Sequence, residues 1–373
     1  MKKVVIIGCV PDMSDTVFLS KLAQLIKNMD LSAEFWGWER NLKSTEVTVC
    51  KDSITKRVLL RGGGEANRHL IFWYPIWMIK IFLTTFLYKE ELNYFCVSFD
   101  SAMPLAVASL FVKRHFIFAN IDNISKNYRW PSLIKTVLEY LERFTARRAN
   151  IHLIPSESRW SNQDTNIRIV GNTPSWEAVN KARQIARERG YQRQEEFTIY
   201  VNGWLTRTRG ILTLLNAVKE CRETIKLLVA GVPNCDEAKE LINLKNVEYL
   251  GLISNAEALA IYYKSHLAFT FYDPSLEINR VAEPNKWGDS IVTGTPFVTN
   301  LGVITANKFI KKNACFVIDY EDSMELAKIF NSLSVDREKW REVQKNLESF
   351  EVVYWDKNMH KILEEFCDNR GLA

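Results

Sequence analysis

Short apolar runs with strand character alternate with longer runs of helical period along most of the chain, the order expected of parallel α/β domains. Residues 4–7 read as the first strand, 16–28 as an amphipathic helix and 33–38 as a second strand. Residues 94–98 and 115–118 read as buried strands, with a helix over 102–112 between them, and 134–148 as a helix leading into a strand at 151–154. Asp100 and Asp122 fall just past the carboxyl ends of two strands, where open α/β sheets place ligands. A highly charged helical segment, 176–194, connects to a second alternating series. That series has strands at 197–201, 225–230, 246–251 and 267–271, and helices at 236–242 and 255–264. The expected domains are therefore 1–175 and 176–351, with an amphipathic helix over about 352–373 packing back on the first.

One stretch departs from simple alternation. Residues 70–87 form 18 consecutive positions carrying a single charge, Lys80, which reaches the lower limit for a membrane span. Pro75, Lys80, Tyr74 and Thr84-Thr85 interrupt it, so a packed helix is the leading reading. A monotopic contact through its aromatic residues ranks second and a true span third.

Composition narrows the function class. A chain of 373 residues with 47% apolar residues can bury two cores. Its formal charge of +5 is uneven, because residues 1–170 hold 23 Lys/Arg against 16 Asp/Glu. A basic first half suits an anionic membrane surface or a phosphorylated acceptor. The basic residues are not interleaved with aromatics as a nucleic-acid groove requires, and no nucleic-acid partner is expected. Seven scattered cysteines without C-x-x-C spacing fit a reducing compartment and no structural zinc. Met1-Lys2-Lys3 runs straight into a strand with no small-residue cleavage site, so a cytoplasmic protein is expected. Only Gly8 follows the first strand, which argues against a G-x-G-x-x-G dinucleotide site there. The Arg61-Gly62-Gly63-Gly64-Glu65 run reads as a turn.

Two stretches of the second half carry the candidate chemistry. In 203–210 (Gly-Trp-Leu-Thr-Arg-Thr-Arg-Gly), Arg207 and Arg209 supply guanidinium forks suited to phosphate oxygens. In 283–300 (Glu-Pro-Asn-Lys-Trp-Gly-Asp…Gly-Thr-Pro-Phe-Val-Thr-Asn), Glu283 and Asp289 frame Asn285 and Lys286 at the start of a predicted helix. Its free backbone amides form an anion seat, with Asp289, expected in the first turn, positioned for a ribose diol. A capped helix followed by a turn is the plainer reading of the same residues.

The second stretch resembles the donor-site signature of family-four glycosyltransferases, in which Pro-Asn-Lys-x-x-Glu precedes a small-residue helix and Gly-x-Pro-Val; here the acid is Asp289 rather than Glu. The first resembles the family's Gly-Arg-Leu…Lys-Gly loop in spacing, with Trp204 where Arg is usual and Arg209 where Lys is usual. Asp122, Leu141-Glu142-Arg143, Ile154-Pro155-Ser156, Asn172-Thr173-Pro174 and Asn246-Val247…Gly251 follow in the family's order. The second acid, eight positions before the ribose-binding one in many members, is Val281 here, leaving Glu283 and Glu277 as substitutes.

The resemblance implies a GT-B fold, two Rossmann-like domains facing a cleft. It implies retaining sugar transfer from a nucleotide-diphosphate sugar to a saccharide or polyprenyl-diphosphate-linked acceptor, with no cofactor and no obligatory metal. It implies a place in bacterial surface polysaccharide synthesis, with the protein cytoplasmic or peripheral on the inner face of the membrane. Donor contacts would come from Gly203, Arg207, Arg209, Gly251, Leu252, Ile253, Glu283, Asn285, Lys286 and Asp289. Arg209 would stabilise the leaving group, Asp122 would face the acceptor hydroxyl, and Asp100 would be the second candidate for that role. A catalytically inactive sugar-nucleotide-binding subunit is the alternative. A nucleotide-sugar epimerase fits less well with only five histidines.

Overall fold

The computed structural model describes residues 3–41, 48–51, 54–64, 70–88, 92–160, 164–222 and 224–368, so Glu65 and residues 369–373 lie outside the described residues. The chain divides into two compact units, Met1–Gly171 with Asp356–Ala373, and Asn172–Trp355.

The first unit carries strands β1 (Lys3–Ile7), β2 (Ser32–Glu39), β3 (Thr48–Lys51), β4 (Ile54–Arg61), β5 (Asn93–Val97), β6 (His115–Ala119), β7 (Ile151–Ile154) and β8 (Ile167–Ile169). Its helices are α1 (Val17–Asn28), α2 (Leu70–Leu87), α3 (Phe99–Ala108), α4 (Ile124–Asn127) and α5 (Ser132–Arg148). The sheet runs β3-β4-β2-β1-β5-β6-β7-β8, and its neighbours are parallel except for the β3–β4 hairpin. Right-handed crossovers put α2, α3 and α5 on one face, because β4→β5, β5→β6 and β6→β7 all advance in the same direction. The core beneath them is aromatic: Trp36, Trp38, Trp77, Tyr94, Phe116 and Phe118 are all fully enclosed. Leu70–Leu87 is half packed and half exposed. Trp77, Ile81 and Thr85 are buried, while Phe72, Ile76, Ile79, Leu83, Phe86 and Leu87 face outward. Among the described residues no helix is long and apolar enough to cross a membrane.

The second unit carries β9 (Phe197–Leu205), β10 (Ile225–Pro233), β11 (Val247–Gly251), β12 (Leu267–Phe269), β13 (Phe297–Asn300) and β14 (Phe316–Ile318), in the order β11-β10-β9-β12-β13-β14, all parallel. Its helices are α6 (Trp176–Glu188), α7 (Ile211–Glu220), α8 (Asp236–Leu241), α9 (Asn255–Tyr262), α10 (Glu277–Arg280), α11 (Asn285–Thr293), α12 (Asn307–Ile310), α13 (Ser323–Val335) and α14 (Glu338–Glu348). The last helix, α15 (Trp355–Asp368), belongs almost wholly to the first unit. There Phe366 stacks on His115 at 4.2 Å and Glu365 pairs with Arg168 at 2.5 Å.

Several elements depart from the sequence pattern. α3 starts at Phe99 rather than 102, so Asp100 lies in its first turn instead of in a loop. β9 continues through Gly203 to Leu205, because Gly203 pairs with Gly231 of β10 in register. α6 stops at Glu188, short of 194, with Gly190 in the left-handed region (φ 62) just beyond it. Residues 301–351, to which the pattern assigned no elements, hold β14, α12, α13 and α14.

A Cβ at Gly231 (φ 130) would lie 1.9 Å from the Gly203 carbonyl oxygen, so this pair sets how closely β9 and β10 approach. Gly231→Ala is expected to lower unfolding free energy by about 3 kcal/mol in urea. Gly171→Ala, at a position with nothing within 4 Å, should stay within about 0.5 kcal/mol of wild type. Equal effects of the two would refute the close-approach argument.

Candidate active site

Strand order reverses between β9 and β12 in the second unit and between β1 and β5 in the first. Loops diverge there and leave a crevice at the carboxyl ends of the strands. Gly203, Arg209, Lys286 and Asp289 lie by the first of these points and Asp100 by the second, while Asp122 follows β6 and Gly251 ends β11.

In the second unit, the chain leaving β9 makes one turn of 3₁₀ helix over Arg207–Arg209 and then passes Gly210 in the left-handed region (φ 70). Any Cβ at Gly210 would fall 2.6 Å from that of Phe271. The turn is clamped by Tyr320, whose hydroxyl accepts from the Gly210 amide at 3.1 Å and donates to the Arg207 carbonyl. Arg209 is thereby aimed inward. Its Nη1 donates to Asn279 Oδ1 at 3.0 Å, and its guanidinium lies 4.3 Å from the Tyr272 ring centre, a cation–π distance. Asn279 is itself fixed by donating to the Asp273 carbonyl at 3.1 Å. Arg207 points elsewhere: it pairs with Glu237 at 2.5 Å, and that contact holds the Glu237 carboxyl down at about 2. Glu237 is the anion that makes a cation tolerable at this turn.

α11 begins at Asn285, after Pro284, and no side chain caps its first amides. Asp289 therefore sits in the second turn, not the first. Gly288 is required by packing, since a Cβ would meet the Asn172 carbonyl and Thr173 Cα at 2.8 Å. Asn172 also donates to the Glu283 carbonyl at 2.6 Å, which attaches the 172–174 turn to the entrance of α11 and accounts for its place in the second unit. Part of Lys286 is exposed, but the atoms packed around its amine, followed by the Arg209 charge, push its pKa down to about 7 against the opposing pull of Asp289. Its Nζ reaches the Phe269 carbonyl at 3.4 Å, and its stem passes beside Gly203. Beneath, the Tyr200 and Tyr262 hydroxyls are buried with no hydrogen-bond partner of good geometry, their rings edge to face at 5.1 Å. Burial, then the Asp289 charge, raises both phenols.

The structure thus brings Gly203, Arg209, Lys286 and Asp289 together. Asn285 is exposed at the helix entrance. Glu283 forms an ion pair with Lys308 at 2.5 Å, and Glu277 opens the short helix α10. Gly251 (φ 66) ends β11 two strands from Gly203, with Leu252 exposed and Ile253 half-buried ahead of the Ser254–Glu257 capping box. Tyr272, Asn279, Tyr320 and the buried tyrosine pair escaped the sequence reading. Their only signal was the run of aromatic residues around 262–272.

The first unit has its own cluster. Asp100 is buried, accepts from Trp77 Nε1 at 2.9 Å and hydrogen-bonds the Cys9 thiol. Burial raises its carboxyl to about 6, tempered by those hydrogen bonds and by Arg40, so it is charged at neutral pH only because these partners hold it. Arg40 donates to the Cys9 carbonyl at 2.8 Å and the Tyr74 hydroxyl at 3.3 Å, with its guanidinium 4.7 Å from the Trp38 ring centre. Ser98, the residue before α3, has φ 74 and ψ 163, a conformation that non-glycine residues hold only under constraint. Asp122 differs: its side chain is 59% exposed and 3.5 Å from Nη1 of the buried Arg159, which also donates to the Ile121 carbonyl at 2.9 Å. No group of metal-ligating side chains occurs among the described residues.

No family model matches the sequence, and no curated protein matches it. Solved structures do. Sucrose-phosphate synthase from Thermosynechococcus elongatus superposes with a TM-score of 0.73 at 13% identity, covering 100% of both chains. Anabaena HepE in complex with UDP-glucose gives 0.67 at 16% identity over 98% of this chain and 100% of that one. An Escherichia coli trehalose-6-phosphate structure bound with UDP-2-fluoro glucose gives 0.65 at 9%, over 98% and 99%. This chain has the GT-B fold.

Lys286 supplies a test. Its folded pKa lies below its unfolded value, so the charged form is penalised in the fold, fully at pH 6 and progressively less as pH rises from about 7 towards 10.5. Lys286→Met should therefore be more stable than wild type by about 2 kcal/mol at pH 6, with the advantage fading by about pH 10. A pH-independent difference in urea titrations would show that Lys286 is not held in this way.

Proposed function

We propose that the protein is a glycosyltransferase moving a sugar from a nucleotide-diphosphate donor to a saccharide or polyprenyl-diphosphate-linked acceptor, with retention at the anomeric carbon. The observation that carries this reading is the pair Arg209 and Lys286, two half-buried cations close enough for the Arg209 charge to act on the Lys286 amine, with the uncapped amides of α11 at Lys286's own helix start. A diphosphate is the ligand that relieves both, and the three neighbouring folds described above include one solved with UDP-glucose and one with UDP-2-fluoro glucose.

In the proposed reaction, the bond between the anomeric carbon and the diphosphate oxygen breaks, and its electron pair leaves with the phosphate. Arg209, Lys286 and the 285–288 amides stabilise that charge, an electrostatic effect worth about 3 kcal/mol per donor. The acceptor hydroxyl oxygen bonds to the anomeric carbon and its proton passes to a carboxylate. Asp122, exposed, takes or orients that proton; Asp100, enclosed by Trp77, Cys9 and Arg40, is the second candidate for that role. Asp289 accepts from the ribose hydroxyls, and the 251–253 backbone faces the base. No metal is assigned a role, and the enzyme is placed at the inner face of a bacterial membrane, in surface polysaccharide synthesis.

A thermal-shift screen against UDP, GDP, ADP and CMP tests the donor site. A ligand at about a hundred times its Kd adds about 2.7 kcal/mol, or about 5–10 °C for a unit of this size. One nucleotide should shift wild type and fail on Arg209→Ala; silence from all four would refute the donor site. Asp122→Asn should lower kcat about a hundredfold or more while leaving the donor shift intact. Near-normal turnover in that variant would remove Asp122 from the mechanism.

A further inference from the structure

The exposed side of α2 is a continuous apolar stripe. Phe72, Ile76, Ile79, Leu83 and Phe86 recur at intervals of four and three and all face outward, joined by Pro75 and Leu87. Phe72 and Leu87, at the two ends, are 70% and 71% exposed. The stripe spans roughly 22 Å at 1.5 Å per residue, and it continues onto the turn after α3, where Phe111 packs edge-on to Phe86 at 6.2 Å. A row of this length is far more than the scattered single apolar residues normal on a soluble surface. The same sheet face carries a second row on α5, Leu133, Ile134, Val137 and Tyr140, headed by Tyr128 and Trp130.

Charge identifies the occupant. Residues 70–87, 109–114 and 128–148 hold eight Lys/Arg and two Asp/Glu, and one of the cations, Arg114, is buried and donates to the Thr85 and Tyr88 carbonyls. Of the two acids, Glu142 is turned inward, taking hydrogen bonds from the Ile124 amide and the Ser125 hydroxyl, and Glu139 is paired with Lys135. Lys80 and Lys113 stand exposed beside the stripe, and Arg143, Arg147 and Arg148 lie along α5. A protein partner for so flat a row would need acidic residues of its own on every side. A bilayer with anionic headgroups offers apolar depth for the stripe and negative charge for its flanks at once, with Lys80 reaching up to the headgroups from its long stem.

We propose that this face, with α2 at its centre, docks flat on an anionic lipid surface. α2 is held to the protein by Trp77, Ile81 and Thr85, so it lies on the bilayer and does not cross it. The inference rests on the reading that places the enzyme at a membrane and names the face that would meet it; none of its residues belongs to the Arg209–Lys286 site, so loss of flotation and loss of nucleotide binding are read separately.

The test is flotation of the full chain with vesicles of phosphatidylcholine alone or with about a third phosphatidylglycerol. Wild type should float with the anionic vesicles, less so in about 0.5 M NaCl, and remain below with the neutral ones. Ile79→Ser/Leu83→Ser, both at exposed positions, should weaken partitioning about tenfold or more while leaving circular dichroism and any nucleotide thermal shift unchanged. Wild type that fails to float with either vesicle, floats equally with both, or is matched by the double variant would overturn the proposal. Sedimentation velocity showing a wild-type dimer that the double variant abolishes would assign the stripe to a second copy instead.

Discussion

The polar cluster of the second unit depends on holding positive charge partly out of water. Burial of the Lys286 amine, followed by the Arg209 charge, outweighs the pull of Asp289 and holds its pKa down to about 7. What keeps the charges there is a set of close backbone approaches. Gly231 lets β10 lie against Gly203, Gly210 lets the arginine turn sit on Phe271, and Gly288 lets α11 press on the 172–174 turn. Each glycine trades local conformational freedom for a fixed position of a cation. An anion entering this site offsets a strain already present and needs to create no new order.

The two units solve opposite electrostatic problems at equivalent places. Both sheets reverse strand order, at β9/β12 and at β1/β5, and both collect polar groups at the reversal. The second unit gathers half-buried cations, Arg209 and Lys286. The first encloses a carboxylate, Asp100, in the helix that follows the strained Ser98 and beside Arg40. The two reversals therefore carry charge of opposite sign.

Much of this was legible in the sequence, and the failures have physical causes. Alternating strand and helix periods located both sheets, because buried parallel strands are continuous apolar runs. Arg209, Lys286 and Asp289 were picked out by residue type and spacing, and the structure brings them near one another. Arg207 looked equivalent to Arg209, yet a glutamate 30 residues further along the chain claims it, and pairings of that range leave no local pattern. The Asp100 cluster was visible only as one acid at a strand end. Cys9, Arg40, Tyr74 and Trp77 reach it from three other segments, and the strain at Ser98 belongs to tertiary packing that no propensity encodes.

Hydropathy reads Leu70–Leu87 as nearly a membrane span because the helix is apolar on two faces for two different reasons. On its inner side Trp77 donates to Asp100 and Tyr74 receives Arg40, so this helix supplies part of the acid's enclosure. On its outer side the Phe72–Phe86 stripe has no protein beneath it among the described residues. A helix that grips a buried carboxylate with one face cannot rotate to hide the other without releasing that hydrogen bond and leaving the Asp100 charge buried and short of a partner. The exposed stripe is therefore held outward by the chemistry of the site it covers, which is why it persists as a surface and does not collapse into the core.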